Sequence, residues 1–274
     1  MKKVPLFGFE FWNASDEEEV VEFLTGARRP ELFIRDNINF LITPNAFEIA
    51  EYYTRYGQML RFFQGAGVVL ADGMPIVWLS KLNKKNALKN RITGSDLFPV
   101  LWERIKQDNK KAFFIVCDHS IGQKLKEEHP LAEYIVPDFF PDNGDAYIEK
   151  FLDSHIEEIR AFQPEYLFIG ITLPKQQKIA MRLHHLLSGK VGFNCLIATL
   201  GASFEFYFGL KKRAPAFFQK SGTEWLYRFW QEPRRTWRRY TIGNLVFMRI
   251  AIKELFKRPE WSTLNSNKNG MGQP

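Results

Sequence analysis

Short apolar runs alternate with stretches of helical apolar spacing through most of the chain. FLITPNAFEIAEYYTRYGQMLRFFQ reads as a strand, a turn at Pro44 and a helix from about Ala46. GVVLADG reads as a strand ending at Asp72 and Gly73, LFPVLWERIKQDN as helical, and KAFFIVCD and EYIVPDFF as strands. YIEKFLDSHIEEIRAFQ is helical, and EYLFIGIT, QQKIAMRLHHLLSG and FNCLIATLG follow as strand, helix and strand. This alternation predicts an α/β fold: a mainly parallel sheet with flanking helices, Rossmann-like in layout. Right-handed crossovers gather the strand ends at one edge, where open sheets place their ligands. The residues just beyond the strands are therefore site candidates: Thr43 to Asn45, Asp72 to Pro75, Asp118 and His119, Asp138, Thr172 to Gln177, and Gly201 to Phe206.

After Gly209 the pattern changes, and aromatics and arginines recur at helical spacing without intervening strands. The expected organisation is an α/β core over residues 1–210, a helical basic appendage over 211–261, and a disordered tail over 262–274. Charge follows the same boundary. From Lys211 to Arg258 there are 13 basic residues and three acids, whereas the whole chain carries a net +7. One segment owns the positive field, which implies a local anionic partner: membrane phospholipid, diphosphate or nucleic acid.

With 274 residues, 45% of them hydrophobic, the chain can bury a sizeable core. Cys117 and Cys195 make no disulfide framework and are expected to be buried thiols in a reducing compartment. The N-terminal segment turns acidic before any apolar core develops, against a secretory signal, and no apolar run approaches the roughly 18 residues of a membrane span.

Fingerprints of several chemistries are missing from the sequence. G-x-G-x-x-G, the P-loop pattern, D-x-D and H-E-x-x-H do not occur. The five histidines are scattered, and the adjacent His184 and His185 project to different faces of a helix. No metal and no cofactor are therefore expected. Asp72 is the strongest catalytic candidate: a carboxylate at a partly dry strand end suits a general base, while the alternative is a cap for a helix starting near Pro75. Thr43 and Asn45 suit either the orientation of a bound hydroxyl or an ordinary helix start. In RITGSDLFPVLW, Arg91, Thr93 and Gly94 lie at a helix start whose N–H groups could hold phosphate, or simply be capped. Among the C-terminal arginines, i,i+4 spacing and interleaved Trp and Tyr suit diphosphate recognition and the headgroup layer of a bilayer, or a solvated basic face.

Six blocks carry a family resemblance: TPNAFEIA (43–50), LADGMPIVW (70–78), RITGSDLF (91–98), FIGITLPKQQKIA (168–180), LGASFEFYFGLKKRAP (200–215) and EWLYRFWQEPRRTWRRY (224–240). In this order the chain resembles the WecG/TagA/CpsF family of bacterial glycosyltransferases, glycosyltransferase family 26. The resemblance implies an inverting, metal-independent enzyme that moves a sugar from a UDP-sugar, such as UDP-N-acetylmannosamine or a related hexose, to a polyprenyl-diphosphate-linked saccharide. It implies Asp72 as general base, Thr43 and Asn45 as active-site residues, and Arg91 and Gln176 as substrate contacts. Arg213, Arg228, Arg235 and Arg238 become candidates for the diphosphate, on an appendage that docks on the anionic inner face of the cytoplasmic membrane and covers the site. A peripheral cytoplasmic location in polysaccharide synthesis follows; homo-oligomer formation stays open and no nucleic-acid partner is expected.

Four departures stand out. D-G-x-G becomes DGMP, P-K-Q-E becomes PKQQ with neutral Gln177, G-G-x-F-D-F becomes LGASFEF, and an H-G-Y-F-like segment is represented by PDFFPDNG (137–144). A non-catalytic assembly scaffold is the alternative that DGMP and PKQQ favour, and a basic nucleic-acid-binding module comes third.

Overall fold

The computed structural model describes residues 1–34, 36–82, 87–189, 194–215, 217–218, 223–231, 233, 237 and 241–256. The strands are β1 (Lys3–Leu6), β2 (Phe9–Trp12), β3 (Ile38–Ile42), β4 (Val68–Val69), β5 (Ala112–Val116), β6 (Ala132–Ile135), β7 (Tyr166–Gly170) and β8 (Cys195–Thr199). They form one sheet in the order β1-β2-β4-β3-β8-β7-β5-β6, antiparallel only between β1 and β2. Every residue of β5, β7 and β8 is buried, because helices cover both faces of the parallel part.

On one face, α2 (Ala46–Thr54), α3 (Gly57–Phe63), α7 (Asp145–Phe162) and α8 (Lys175–Leu187) bury Ile49, Phe63, Leu152 and Leu183 against Phe40, Ile115 and Ile169. On the other, α1 (Glu17–Thr25), α5 (Gly94–Gln107) and α6 (His119–Glu128) cover Phe114 and Phe168 with Leu24, Phe98, Trp102 and Leu125. Further described helices are α4 (Met74–Leu82), α9 (Ser203–Tyr207), α10 (Glu224–Gln231) and α11 (Ile242–Phe256), and a short 3-10 helix spans Arg29–Phe33.

The expected α/β layout is present, and the helix predicted from about Ala46 begins there. It does not continue through Gln64: the chain breaks at Arg55 and Tyr56 before α3. The strand expected over GVVLADG is only Val68–Val69, although Leu70 N still donates to Ile42 O at 2.9 Å. Cys117 is a correction: it lies one residue beyond β5 and is exposed, whereas Cys195 inside β8 is buried as expected.

The β1–β2 hairpin and α1 are further elements of the acidic N-terminal segment. Phe7 and Gly8, both at positive φ, make the turn, and Asp16 caps α1 by accepting from Glu19 N. Phe7, the buried residue of this turn, meets the C-terminal helix. Phe247 of α11 packs on Phe7 with ring centroids 5.5 Å apart, and Glu254 accepts a hydrogen bond from Phe7 N at 2.9 Å. Phe247 and Ala251 thereby join the core, and α11 lies against α2.

Candidate active site

Segments following β3, β4, β7 and β8 converge at one edge of the sheet on a cleft of about 1200 Å³. Thr43, Asn45, Asp72, Gly94, Thr172, Gln176, Thr199 and Gly201 all line it. Backbone hydrogen bonds bring these distant stretches together. Asp72 N donates to Pro44 O at 3.2 Å, and Ile92 N donates to Ala71 O at 3.1 Å, so the 43–45, 71–73 and 91–94 segments are tied edge to edge. Gly73 follows at φ 150°, a conformation that side chains rarely adopt, and the Cβ it lacks would stand 4.0 Å from Asn45 Cβ. Asp72 is half-buried on the cleft wall.

Asn45 serves as a helix cap and faces the cleft as well. Its Oδ1 accepts from Phe47 N at 3.0 Å and Glu48 N at 3.1 Å, while Glu48 accepts from Asn45 N at 3.2 Å, a reciprocal capping box. With the carbonyl oxygen fixed by the helix, the amide nitrogen is the group available to a ligand. Gln176 is buried, and its Oε1 accepts from Gly201 N at 3.1 Å, which sets the turn after β8.

A second group of side chains joins the core to the appendage. Thr93 caps α5, accepting from Asp96 N at 3.1 Å and donating to Asp96 Oδ2 at 2.8 Å. Asp96 also binds Arg213, whose Nη2 reaches Thr93 Oγ1 at 3.3 Å, and lies 3.7 Å from Arg91. Arg91 in turn donates to Glu224 of α10 at 3.2 Å. Burial alone would raise the Asp96 pKa, but hydrogen bonds from Arg213 and Thr93 outweigh it and hold the carboxyl below its ordinary range. Burial works to lower the Arg213 pKa, yet the Asp96 hydrogen bond and the charges of Asp96, Glu224 and Asp72 raise it. These charges therefore form one local field that includes the cleft carboxylate.

Of the sequence candidates, Thr43, Asn45, Asp72, Gly94 and Gln176 share the cleft, and Arg91, Thr93 and Arg213 share the adjoining ion-pair group. Arg235 and Arg238 lie outside the described residues, as does the side chain of Arg228 in α10. The departures from the resembling motifs also find places. Pro75 sits in the first turn of α4, where a missing N–H is harmless. Gln177 is buried against the Tyr52 hydroxyl, with its Oε1 unpartnered among the described residues.

Sequence reasoning missed one whole wall of the cleft: Phe47, Glu48, Glu51 and Thr54 of α2 with Arg55 just beyond it, together with Ile242, Gly243 and Val246 of α11. Their i,i+3 and i,i+4 spacing on α2 was the available signal, but strand-end reasoning does not look along a helix. Three of the five histidines have structural hydrogen-bond partners: His184 pairs with Asp36, His129 with Lys110 O and His155 with Phe151 O.

The profile described as "Glycosyl transferase WecG/TagA/CpsF family" matches residues 4–260, almost the full length of the chain. The chain belongs to this family of glycosyl transferases. Among WecG/TagA/CpsF relatives, it is similar to the N-acetylglucosaminyldiphosphoundecaprenol N-acetyl-beta-D-mannosaminyltransferase of Staphylococcus aureus strain MRSA252, with 26% identity over 93% of this chain and 95% of the relative. The protein of that name from strain MW2 is similar to the same degree, 26% identical over the same shares. The match thus spans the α/β layers, the cleft and the C-terminal helices of the WecG/TagA/CpsF fold seen here.

Proposed function

We propose that this glycosyltransferase moves a sugar, N-acetylmannosamine or a related hexose, from a UDP donor to a polyprenyl-diphosphate-linked saccharide, with inversion and without a metal. The observation that carries the reading is the half-buried Asp72, tied through Pro44 to the Thr43–Asn45 turn and within the field of Arg213, in a chain of this family. The relatives' names give the acceptor class, a sugar diphosphate on undecaprenol.

In this mechanism Asp72 accepts the proton of the acceptor hydroxyl as that oxygen attacks the anomeric carbon, and the bond to UDP breaks on the opposite side. Asn45 and Thr43 orient the reacting sugars, while Gln176 shapes the turn that contacts them. Arg91 and Arg213, with Thr93 and Gly94 at the α5 start, hold the diphosphate and offset the charge that grows on it. Arg228, Arg235 and Arg238 belong to the same proposal through their place in the sequence.

Among the described residues no helix is long and apolar enough to cross a membrane. The membrane contact in this reading is peripheral: α11 presents Leu245, Met248, Ile252 and Leu255 at its surface on a segment rich in cations, suited to the anionic inner face of the cytoplasmic membrane. The core (1–210) and appendage (211–261) then divide the work between chemistry and docking. Incubation with UDP-N-acetylmannosamine and an N-acetylglucosaminyl diphosphate lipid, with and without excess chelator, tests the proposal. UDP release coupled to lipid glycosylation in both arms supports it. Loss of activity on chelation, restored by magnesium, refutes the metal-independent mechanism, and no transfer with any UDP-hexose favours the scaffold alternative.

A further inference from the structure

Among the described residues, Glu224 is the carboxylate that the appendage brings to the Arg91–Asp96–Arg213 group. Its pair with Arg91 is nearly removed from water, with side-chain exposures of 12% and 13%. Such a pair persists only while each charge has a partner, because either one left alone keeps its desolvation cost. The two guanidiniums are balanced by Asp96 and Glu224, and Asp72 adds a further negative charge to the field. Among the described side chains each guanidinium thus already faces a carboxylate, so an anion that takes Arg91 competes with Glu224 for it. Asp96 is fixed in the first turn of α5 by Thr93, within the core, whereas Glu224 stands in the first turn of α10, on the appendage. Of the two carboxylates, the one on the appendage is the one an incoming anion would replace on Arg91.

We propose that Glu224 is a resident counter-ion that a diphosphate displaces from Arg91, so that it sets the affinity of the site for the donor and couples anion binding to release of the α10 start. This inference rests on the diphosphate-binding reading above. Once Glu224 withdraws, one of the carboxylates facing the two guanidiniums is gone, and the freed Arg91 N–H groups meet phosphate oxygens in the geometry they now offer a carboxylate. Linkage makes the effect reciprocal: whatever holds Glu224 on Arg91 weakens anion binding by the same factor.

The test uses the full chain at fixed ionic strength, with UDP and inorganic pyrophosphate as separate calorimetric titrants. Wild type is compared with Glu224→Gln and with Glu157→Gln. Glu157 of α7 is exposed, pairs with Arg160 and lies outside the cleft lining, so its variant reports the effect of bulk charge. Glu224→Gln should tighten both anions about tenfold, the scale of one opposed charge removed at close range, and Glu157→Gln by less than about twofold. Hydrogen exchange supplies a readout that needs no variant. In wild type, either anion should speed exchange of the 224–231 amides, while in Glu224→Gln those amides exchange fast from the start and do not respond. Unchanged or weaker binding by Glu224→Gln, or slower exchange at 224–231 when wild type binds an anion, overturns the proposal. Pyrophosphate that binds and releases α10 while UDP does not keeps the counter-ion role and sinks the UDP-donor reading. Failure of both anions to bind sinks both.

Discussion

At the scale of single residues, the cleft separates groups that hold the backbone from groups free to meet substrate. Asn45 does both, because its oxygen is committed to the helix while its nitrogen is not. Asp72 is the residue on which the proposed chemistry depends. Asp72→Asn should preserve the fold and UDP affinity while reducing turnover by about 10²–10⁴-fold, and a turnover near wild type would remove Asp72 from the role of base. A second residue-scale expectation concerns Asp36, at the opposite end of β3 from the cleft. Burial acts to raise its pKa, but hydrogen bonds from Ser188, Ile38 N and His184 lower it overall. A carboxyl lowered by folding contributes stability above its unfolded pKa of about 3.9, and that contribution fades as pH falls through the folded value. Urea unfolding of wild type and Asp36→Asn should therefore differ at pH 7 and converge below about pH 4. A gap that stays constant with pH would exclude this origin.

Elements show which features can be read in sequence and which need three dimensions. The strand ends were legible because apolar runs stop abruptly at Thr43, Asp72, Thr172 and Gly201, and each of these residues does line the cleft. The helix start at Ala46 was legible from the Thr43–Pro44–Asn45 turn, and the structure adds Glu48, which completes a capping box with Asn45. Glu224 was not, since nothing in EWLYR says that its acid lies across from Arg91, 133 positions earlier in the chain. Cys117 misled because its apolar neighbours extend the strand pattern by one residue beyond the point where the chain leaves the sheet. Close approach is equally invisible. Gly122 in α6 would ordinarily be a site where alanine stabilises a helix, but a Cβ there would enter the ring of Tyr134 in β6. Gly122→Ala should destabilise the protein by about 1–3 kcal/mol in chemical denaturation. A neutral or stabilising result would mean that α6 and β6 can separate without cost.

For the molecule as a whole, the proposed docking asks how the cleft would be held at a membrane surface. The described part of the appendage is anchored: α11 buries Phe247 and Ala251 while leaving Leu245, Met248, Ile252 and Leu255 exposed. Removing everything beyond Leu210 would uncover Phe7 and one side of α2, so truncation would mix loss of docking with loss of stability. Leu245→Gln with Met248→Gln tests docking separately, because both side chains are exposed. Cosedimentation with anionic liposomes should fall for this variant at low and high salt alike. Wild type should lose only part of its binding in high salt, which screens charge and spares apolar contact. Equal binding by the two proteins would refute docking through α11.

The meeting of Phe7 with Phe247 and Glu254 also has a consequence for how the protein is made. Translation completes the hairpin turn hundreds of peptide bonds before it supplies the helix that seals it. Until residue 254 has cleared the ribosome, Phe7 has an aromatic face without its packing partner and a backbone N–H without its acceptor. Chains terminated early, or cut within the C-terminal third, would share that uncovered socket. It would mark them as incomplete to any chaperone or protease that reads exposed aromatic surface.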